Sequence, residues 1–301
     1  MKLFLRAPVL LLAISFPSFS AATTPWVVDV DANVTLTQNA YTTSWIGSEK
    51  GAVAWASKLD FVAERQMTTI FSNRNTLKLA FGQTRTQFED RSWGKLMKST
   101  DLIDFETMGR FTLDGWVEPF LAVRLISQFV DGTDSTQNHY VNPLDIFESF
   151  GVSRALVAND FTKWNARLGG AVNQNVKRYT LDDTHAGYYT KTKNSAGLEF
   201  VTELKAKARQ GLLDYSSLLT IYEALASSEA EKTNGTPTAN FWRYPDINWE
   251  NIASVNITKY VMVNLTLQLL YDRELHANAR IKEVLALGLT YKFNNAKPAA
   301  K

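Results

Sequence analysis

The sequence predicts an all-β protein, a transmembrane antiparallel up-and-down barrel of about 12 strands, and three observations carry that prediction. The first is strict alternation in the closing strand. Leu285, Leu287, Leu289, Tyr291 and Phe293 fall on one face, and Ala286, Gly288, Thr290 and Lys292 on the other, the period of two that marks a strand with one apolar side. The second is length: at about 13 residues this strand is more than twice as long as a typical soluble one. The third is the connections, which alternate between long and short, as in barrels with brief periplasmic turns and extended outer loops.

Residues 1–22 read as a cleaved signal peptide. Lys2 and Arg6 give a positive start, Ala7 to Phe16 an apolar core interrupted by Pro8, and Pro17 to Ala22 a small-residue cleavage zone. The barrel is assigned to 23–293 and a short periplasmic tail to 294–301. The chain has no cysteine, which excludes disulfides and thiolate metal sites. Its formal charge of +2 falls to zero once Lys2 and Arg6 are removed, so no basic excess argues for nucleic acid. Mean hydropathy is −0.18, because alternation averages each lipid-facing residue with a polar neighbour.

The first strand, Trp26 to Leu36, sets Val28, Val30 and Val34 against Asp29, Asp31 and Asn33; the second, Val53 to Gln66, sets Trp55, Leu59 and Phe61 against Lys58, Asp60 and Glu64. A connection at Ser72 to Asn75 leads into the third, Thr76 to Phe88, whose phase breaks at Gly82 as at a bulge. The fourth, Thr100 to Leu113, opposes Ile103, Phe105 and Phe111 to Asp104, Glu106 and Arg110. Asp114-Gly115 then suits a tight turn. The fifth, Trp116 to Val130, opposes Leu121, Val123 and Leu125 to Glu118 and Arg124, and the sixth, Leu144 to Leu156, has no clear phase. The seventh, Phe161 to Arg178, sets Trp164, Ala166 and Leu168 against Lys163, Asn165 and Arg167. A long loop at 179–194 precedes the eighth, where Leu198, Phe200 and Leu204 oppose Glu199, Glu203 and Lys205. Leu212 to Leu225, Ile247 to Thr258, Val261 to Asp272 and Ile281 to Phe293 complete the wall. Aromatic residues gather near both predicted rims, Trp116, Trp164 and Phe293 at one, Trp55, Tyr179 and Trp249 at the other, as interfacial girdles do.

Several local patterns also point to a family. Trp45-Ile46-Gly47 with Gly51 and Trp55, Leu77 to Gln83, Lys98 to Asp101, Ser127 to Gly132 and Asn142-Pro143 together resemble an uncharacterised outer-membrane β-barrel family of Gram-negative bacteria, a domain of unknown function with series number 3078. The resemblance lies mainly over residues 40–175. Leu270-Tyr271-Asp272 and Tyr291-Lys292-Phe293 look like the closing strands of related outer-membrane families, with the departure that Asn294 to Lys301 follows Phe293. The resemblance implies a barrel in the bacterial outer membrane, handled by periplasmic chaperones and the barrel-assembly machinery; it implies no activity and no functional residues.

Residues with chemical potential are few. His139, His185 and His276 fall in predicted outer loops, without a neighbouring serine for nucleophilic catalysis and without metal-ligand spacing. Asp131, Asp134, Asp182 and Asp183 are the loop acids that calcium would need, though solvated loop acids explain them as well. No catalytic set, cofactor motif or metal site is assigned. The informative set shares the lumen parity of its strands: Lys58, Asp60, Glu64, Asp104, Glu106, Arg110, Glu118, Arg124, Arg167, Glu199, Glu203 and Lys205. Charges facing lipid at mid-membrane cost about 2–4 kcal/mol each for Lys or Arg, so in a barrel these face inward. The expected function is a narrow passive pore, or a structural barrel, with outer-membrane lipids around it and small polar solutes within. The alternatives are a lipid-acting enzyme at the rim and an adhesion barrel working through the 179–194 and 227–246 loops.

Overall fold

The structure is a computed structural model that describes residues 24–39, 41, 50–90, 92–113, 115–133, 137–181, 187–208, 211–231 and 233–295. The predicted signal peptide and the end of the tail lie outside the described residues. The strands are β1 Val27–Asn39, β2 Ala52–Gln66, β3 Phe71–Thr86, β4 Met97–Phe111, β5 Glu118–Ser127, β6 Val130–Asp131, β7 His139–Tyr140, β8 Leu144–Ala158, β9 Thr162–Thr180, β10 Tyr188–Ala208, β11 Leu213–Ser227, β12 Asp246–Asn256, β13 Val261–Tyr271 and β14 Arg280–Asn294. Twelve of them close a barrel in which each strand pairs antiparallel with its neighbours, and β14 returns to β1. β6 and β7 form a separate small hairpin in the loop between β5 and β8.

The wall is mainly apolar outside and charged inside, with Glu148 of β8, opposite Val123 and Val172, an exposed exception on the outer face. Leu285 and Leu289 are 67% and 63% exposed on the outer face, whereas Glu199 and Asp104 on the inner face are 2% and 7% exposed. In hydrocarbon each outward leucine meets its own kind, and a closed ladder pairs the backbone without an open edge. This is a transmembrane β-barrel, and its alternation follows from the pleat: one face of every strand must be lipid-soluble. Short connections, such as 67–70 and 159–161, collect at one end; long ones, such as 87–96, 128–143 and 228–245, collect at the other.

Several boundaries differ from expectation. β3 begins at Phe71, so Ser72 to Asn75 belong to the ladder rather than to a turn. No apolar outward residue signals this stretch, because Asn73 and Asn75 occupy the outward positions; Asn73 Nδ2 donates to Thr107 Oγ1 at 3.3 Å, tolerable near the rim where water reaches the wall. The described residues of 179–194 are mostly strand as well, since β9 and β10 stay paired out to Thr180 and Tyr188. Asp114 of the predicted fourth turn lies outside the described residues. The ladder between β3 and β4 does slip at Gly82 and Gln83. β8, whose phase the sequence leaves open, turns Asp145, Phe147, Ser149 and Ser153 inward and Ile146, Phe150 and Val152 outward.

Candidate functional site

The inner face holds a chain of ion pairs at mid-height. Arg124 of β5 grips Asp104 of β4 with two bonds of 2.8 and 2.7 Å. Arg167 of β9 donates to Glu106 of β4 at 2.6 Å and lies 3.6 Å from Glu199 of β10. Arg74 of β3 reaches Glu203 of β10 with two bonds of 3.0 and 3.2 Å, and Lys205 lies 3.2 Å from the same carboxylate. β3 and β10 are separated around the wall by β4, β5, β8 and β9, so the Arg74 to Glu203 bridge crosses the lumen. Paired guanidinium forks are the geometry in which buried charge is best compensated.

The remaining nominated residues extend this lining. Arg110 joins Glu118 at 3.1 Å and Glu64 at 3.6 Å toward the short-turn end. Asp60 stands opposite Lys78 in the ladder, and Lys58 opposite Ala80, on the same inner face. Two charged partners escaped sequence reasoning. Arg74 did so because its stretch reads as a turn, whereas Lys78 carries a usable signal in the alternation of Leu77-Lys78-Leu79.

Two cavities meet at this belt. The one toward the short turns has a volume of about 490 Å³ and is bordered by Glu64, Arg74, Arg110, Lys163 and Arg167. The one toward the long loops has a volume of about 550 Å³ and is bordered by Asp145, Phe147, Lys193, Tyr222, Trp242 and Asp246. Arg124 borders both. Trp242 belongs to a short 3-10 turn, Phe241–Arg243, in the connection between β11 and β12, and packs in a buried cluster with Ala171, Tyr222 and Ala224. Nothing periodic in that polar stretch announces an inserted tryptophan. Tyr179, expected in an outer girdle, instead borders the second cavity and stacks on Tyr189 with ring centroids 5.2 Å apart.

The loop chemistry is equally specific. His139 is buried rather than solvated: its Nε2 lies 3.2 Å from Thr180 Oγ1, and its ring packs edge-on to Tyr188. His276 is exposed and contacts the Asn278 carbonyl, while His185, Asp134, Asp182 and Asp183 lie outside the described residues. Among the described residues no three carboxylate or histidine groups gather as metal ligands.

Asp131, in β6 beyond the membrane wall, accepts from Thr133 Oγ1 at 2.7 Å, Thr133 N at 3.0 Å and Asn142 Nδ2 at 2.8 Å. Burial alone would raise its pKa, but these bonds outweigh it and hold the carboxyl below the usual aspartate range. A depressed folded-state pKa stabilises the hairpin above the ordinary aspartate range, and this support is lost as pH falls through the lowered value. Limited proteolysis should therefore find the 130–140 hairpin protected at neutral pH and cut in strong acid. Asp131→Asn should be cut at both.

No protein-family model matches the chain, and no curated protein matches its sequence. Among solved structures the chain is similar to an outer membrane channel from Pseudomonas putida F1, with 12% identity over 93% of this chain and 98% of that one and a TM-score of 0.42. It is also similar to the translocator domain of the autotransporter NalP from Neisseria meningitidis, with 8% identity over 89% of this chain and 88% of that one and a TM-score of 0.36. A third likeness is to OprB of Pseudomonas putida, with 11% identity over 89% of this chain and 92% of that one and a TM-score of 0.28.

Proposed function

We propose that the protein resides in the bacterial outer membrane, long loops outward, and serves as a narrow passive pore for small polar solutes. One observation carries this reading: two cavities of about 490 and 550 Å³ lie end to end inside the wall and share the Arg124 side chain at their junction. The belt of Arg74, Glu203, Arg124, Asp104, Arg167, Glu106 and Glu199 borders these cavities, and its alternating signs favour neither anions nor cations. Small solutes pass by exchanging their hydration for these fixed dipoles and charges.

The test is single-channel conductance of the refolded protein in a planar bilayer, with heat-modified gel mobility as the folding control. Wild type should give small steps, and Arg74→Gln combined with Glu203→Gln should raise them roughly two-fold, since the strut across the lumen is then uncharged and free to fold back. Correctly folded wild type and double variant that both pass no current would overturn the proposal.

A further inference from the structure

In the cavity toward the long loops the charges do not cancel as they do along the belt. Among the described residues five acids border it, Asp145, Glu199, Asp246, Asp272 and Glu274, and four cations, Arg124, Lys177, Lys193 and Arg280. Most of the cations are already engaged. Arg124 is held by two bonds to Asp104, a carboxylate on the border of the other cavity. Lys193 pairs with Glu274, Lys177 lies over the Tyr179 ring at 5.2 Å from its centroid, and Arg280 stands exposed at the long-loop end of β14.

The acids, in contrast, have neutral partners or none. Asp145 accepts from Asn175 Nδ2 at 2.7 Å, and Asp272 accepts from Glu274 N and Leu275 N at 2.9 and 3.2 Å. Among the described residues no hydrogen bond or ion pair reaches the Asp246 carboxylate. Glu199 supplies an independent sign. It is 2% exposed, faces the lumen, and borders this cavity but not the other. Its Oε1 lies 3.6 Å from Arg167 Nη2, whose shorter contact, 2.6 Å, is with Glu106. Its Oε2 is buried without a hydrogen-bond partner. A buried carboxylate oxygen with no donor is costly, and a ligand that brings an N–H removes that cost.

The ladder sets the two least compensated acids on either side of one aromatic residue. Tyr222 of β11 stands opposite Glu199 of β10 on one side and Asp246 of β12 on the other, which puts the two acids roughly 10 Å apart at their Cα atoms. Phe147 meets Tyr222 edge-on, with ring centroids 5.6 Å apart. Carboxylates and aromatic rings therefore share one space of about 550 Å³, a size that suits a small molecule.

We propose that the outward cavity binds a small organic cation, an ammonium group on an apolar or aromatic stem. The ammonium donates to the Glu199 and Asp246 carboxylates, and the stem packs against Phe147 and Tyr222, where ring faces attract positive charge. A bare metal ion suits the cavity less, since among the described residues no three acids gather as ligands. An anion of the same shape meets three carboxylates that carry no counter-charge. The site rests on the outward cavity alone and not on conduction past the belt.

The test is isothermal titration calorimetry of the refolded, detergent-solubilised barrel at neutral pH, with phenethylammonium as the probe and phenethyl alcohol as its uncharged counterpart. The ammonium should bind saturably, and the alcohol at least roughly ten-fold more weakly, the worth of a hydrogen bond to a charged group. Glu199→Gln and Asp246→Asn should each weaken the ammonium by a similar factor and leave the alcohol unchanged. Asp246→Asn, beside the long loops and outside the ion-pair belt, keeps the test decisive if Glu199→Gln fails to refold. Equal affinity for ammonium and alcohol, or undiminished ammonium affinity in the refolded Asp246→Asn barrel, would overturn the site. Saturable binding without single-channel current would sink the pore reading and leave the site standing; current without saturable binding would do the reverse.

Discussion

Replacing Arg167 with methionine is expected to destabilise the barrel by about 3–5 kcal/mol, the cost of removing one partner from a buried charge network. Arg167 is 9% exposed and Glu199 2% exposed; the guanidinium lies 2.6 Å from Glu106 and 3.6 Å from Glu199. Methionine fills much of the volume but leaves the Glu106 and Glu199 carboxylates without the cation they share. The penalty belongs to those stranded charges rather than to the lost bonds. Adding Glu106→Gln and Glu199→Gln to Arg167→Met should therefore recover most of the loss, because neutral amides can bond to each other and to water. Urea unfolding of vesicle-embedded protein, followed by tryptophan fluorescence, measures both variants. A loss below about 1 kcal/mol for the single change would mean that water already screens the trio, as it does an exposed pair.

This network also shows what a sequence can and cannot disclose about such a wall. Parity alone places Arg167, Glu106 and Glu199 on one face, since lipid forbids the other. It says nothing about which strands face each other across the lumen, because that depends on strand number and stagger. The Arg74 to Glu203 bridge joins residues 129 positions apart, and no local pattern encodes it. Long apolar alternation, as in Leu285 to Phe293, is read directly. Polar stretches such as Ser72 to Asn75 mislead, because near a rim the outward positions need not be apolar. Trp242 is invisible for a different reason: its role comes from a loop folding back onto Tyr222 and Ala224, and a loop has no period.

Gly197→Val is expected to abolish barrel assembly, and Gly197→Ala to cost about 1–3 kcal/mol, within the range for overpacking. Gly197 sits in β10 where the ladder to β11 slips by one residue, between Ala196 and Gly197. A Cβ at that position would lie 1.9 Å from the Glu223 carbonyl oxygen and 2.8 Å from Ala224 Cα. Both contacts are with backbone, so no side chain can swing aside; the two strands must separate or the slip must move. Losing the slip altogether would set β11 one residue out of register with β10 over the rest of the pair and exchange its inner and outer faces, turning its lipid-facing residues toward the lumen. An alanine can be absorbed by a small shift of the bulge, which is already irregular, but the branched valine brings two further methyl groups into the same backbone. Gly132→Ala serves as the control, because there a Cβ would come no nearer than 3.5 Å to Asn138 Oδ1. Heat-modified gel mobility after refolding reads the outcome as the fraction of compact, fast-migrating protein. A Gly197→Val chain that refolds to the wild-type fraction would show that the β10 and β11 ladder tolerates a different register, and the close approach at Gly197 would then not be what fixes it.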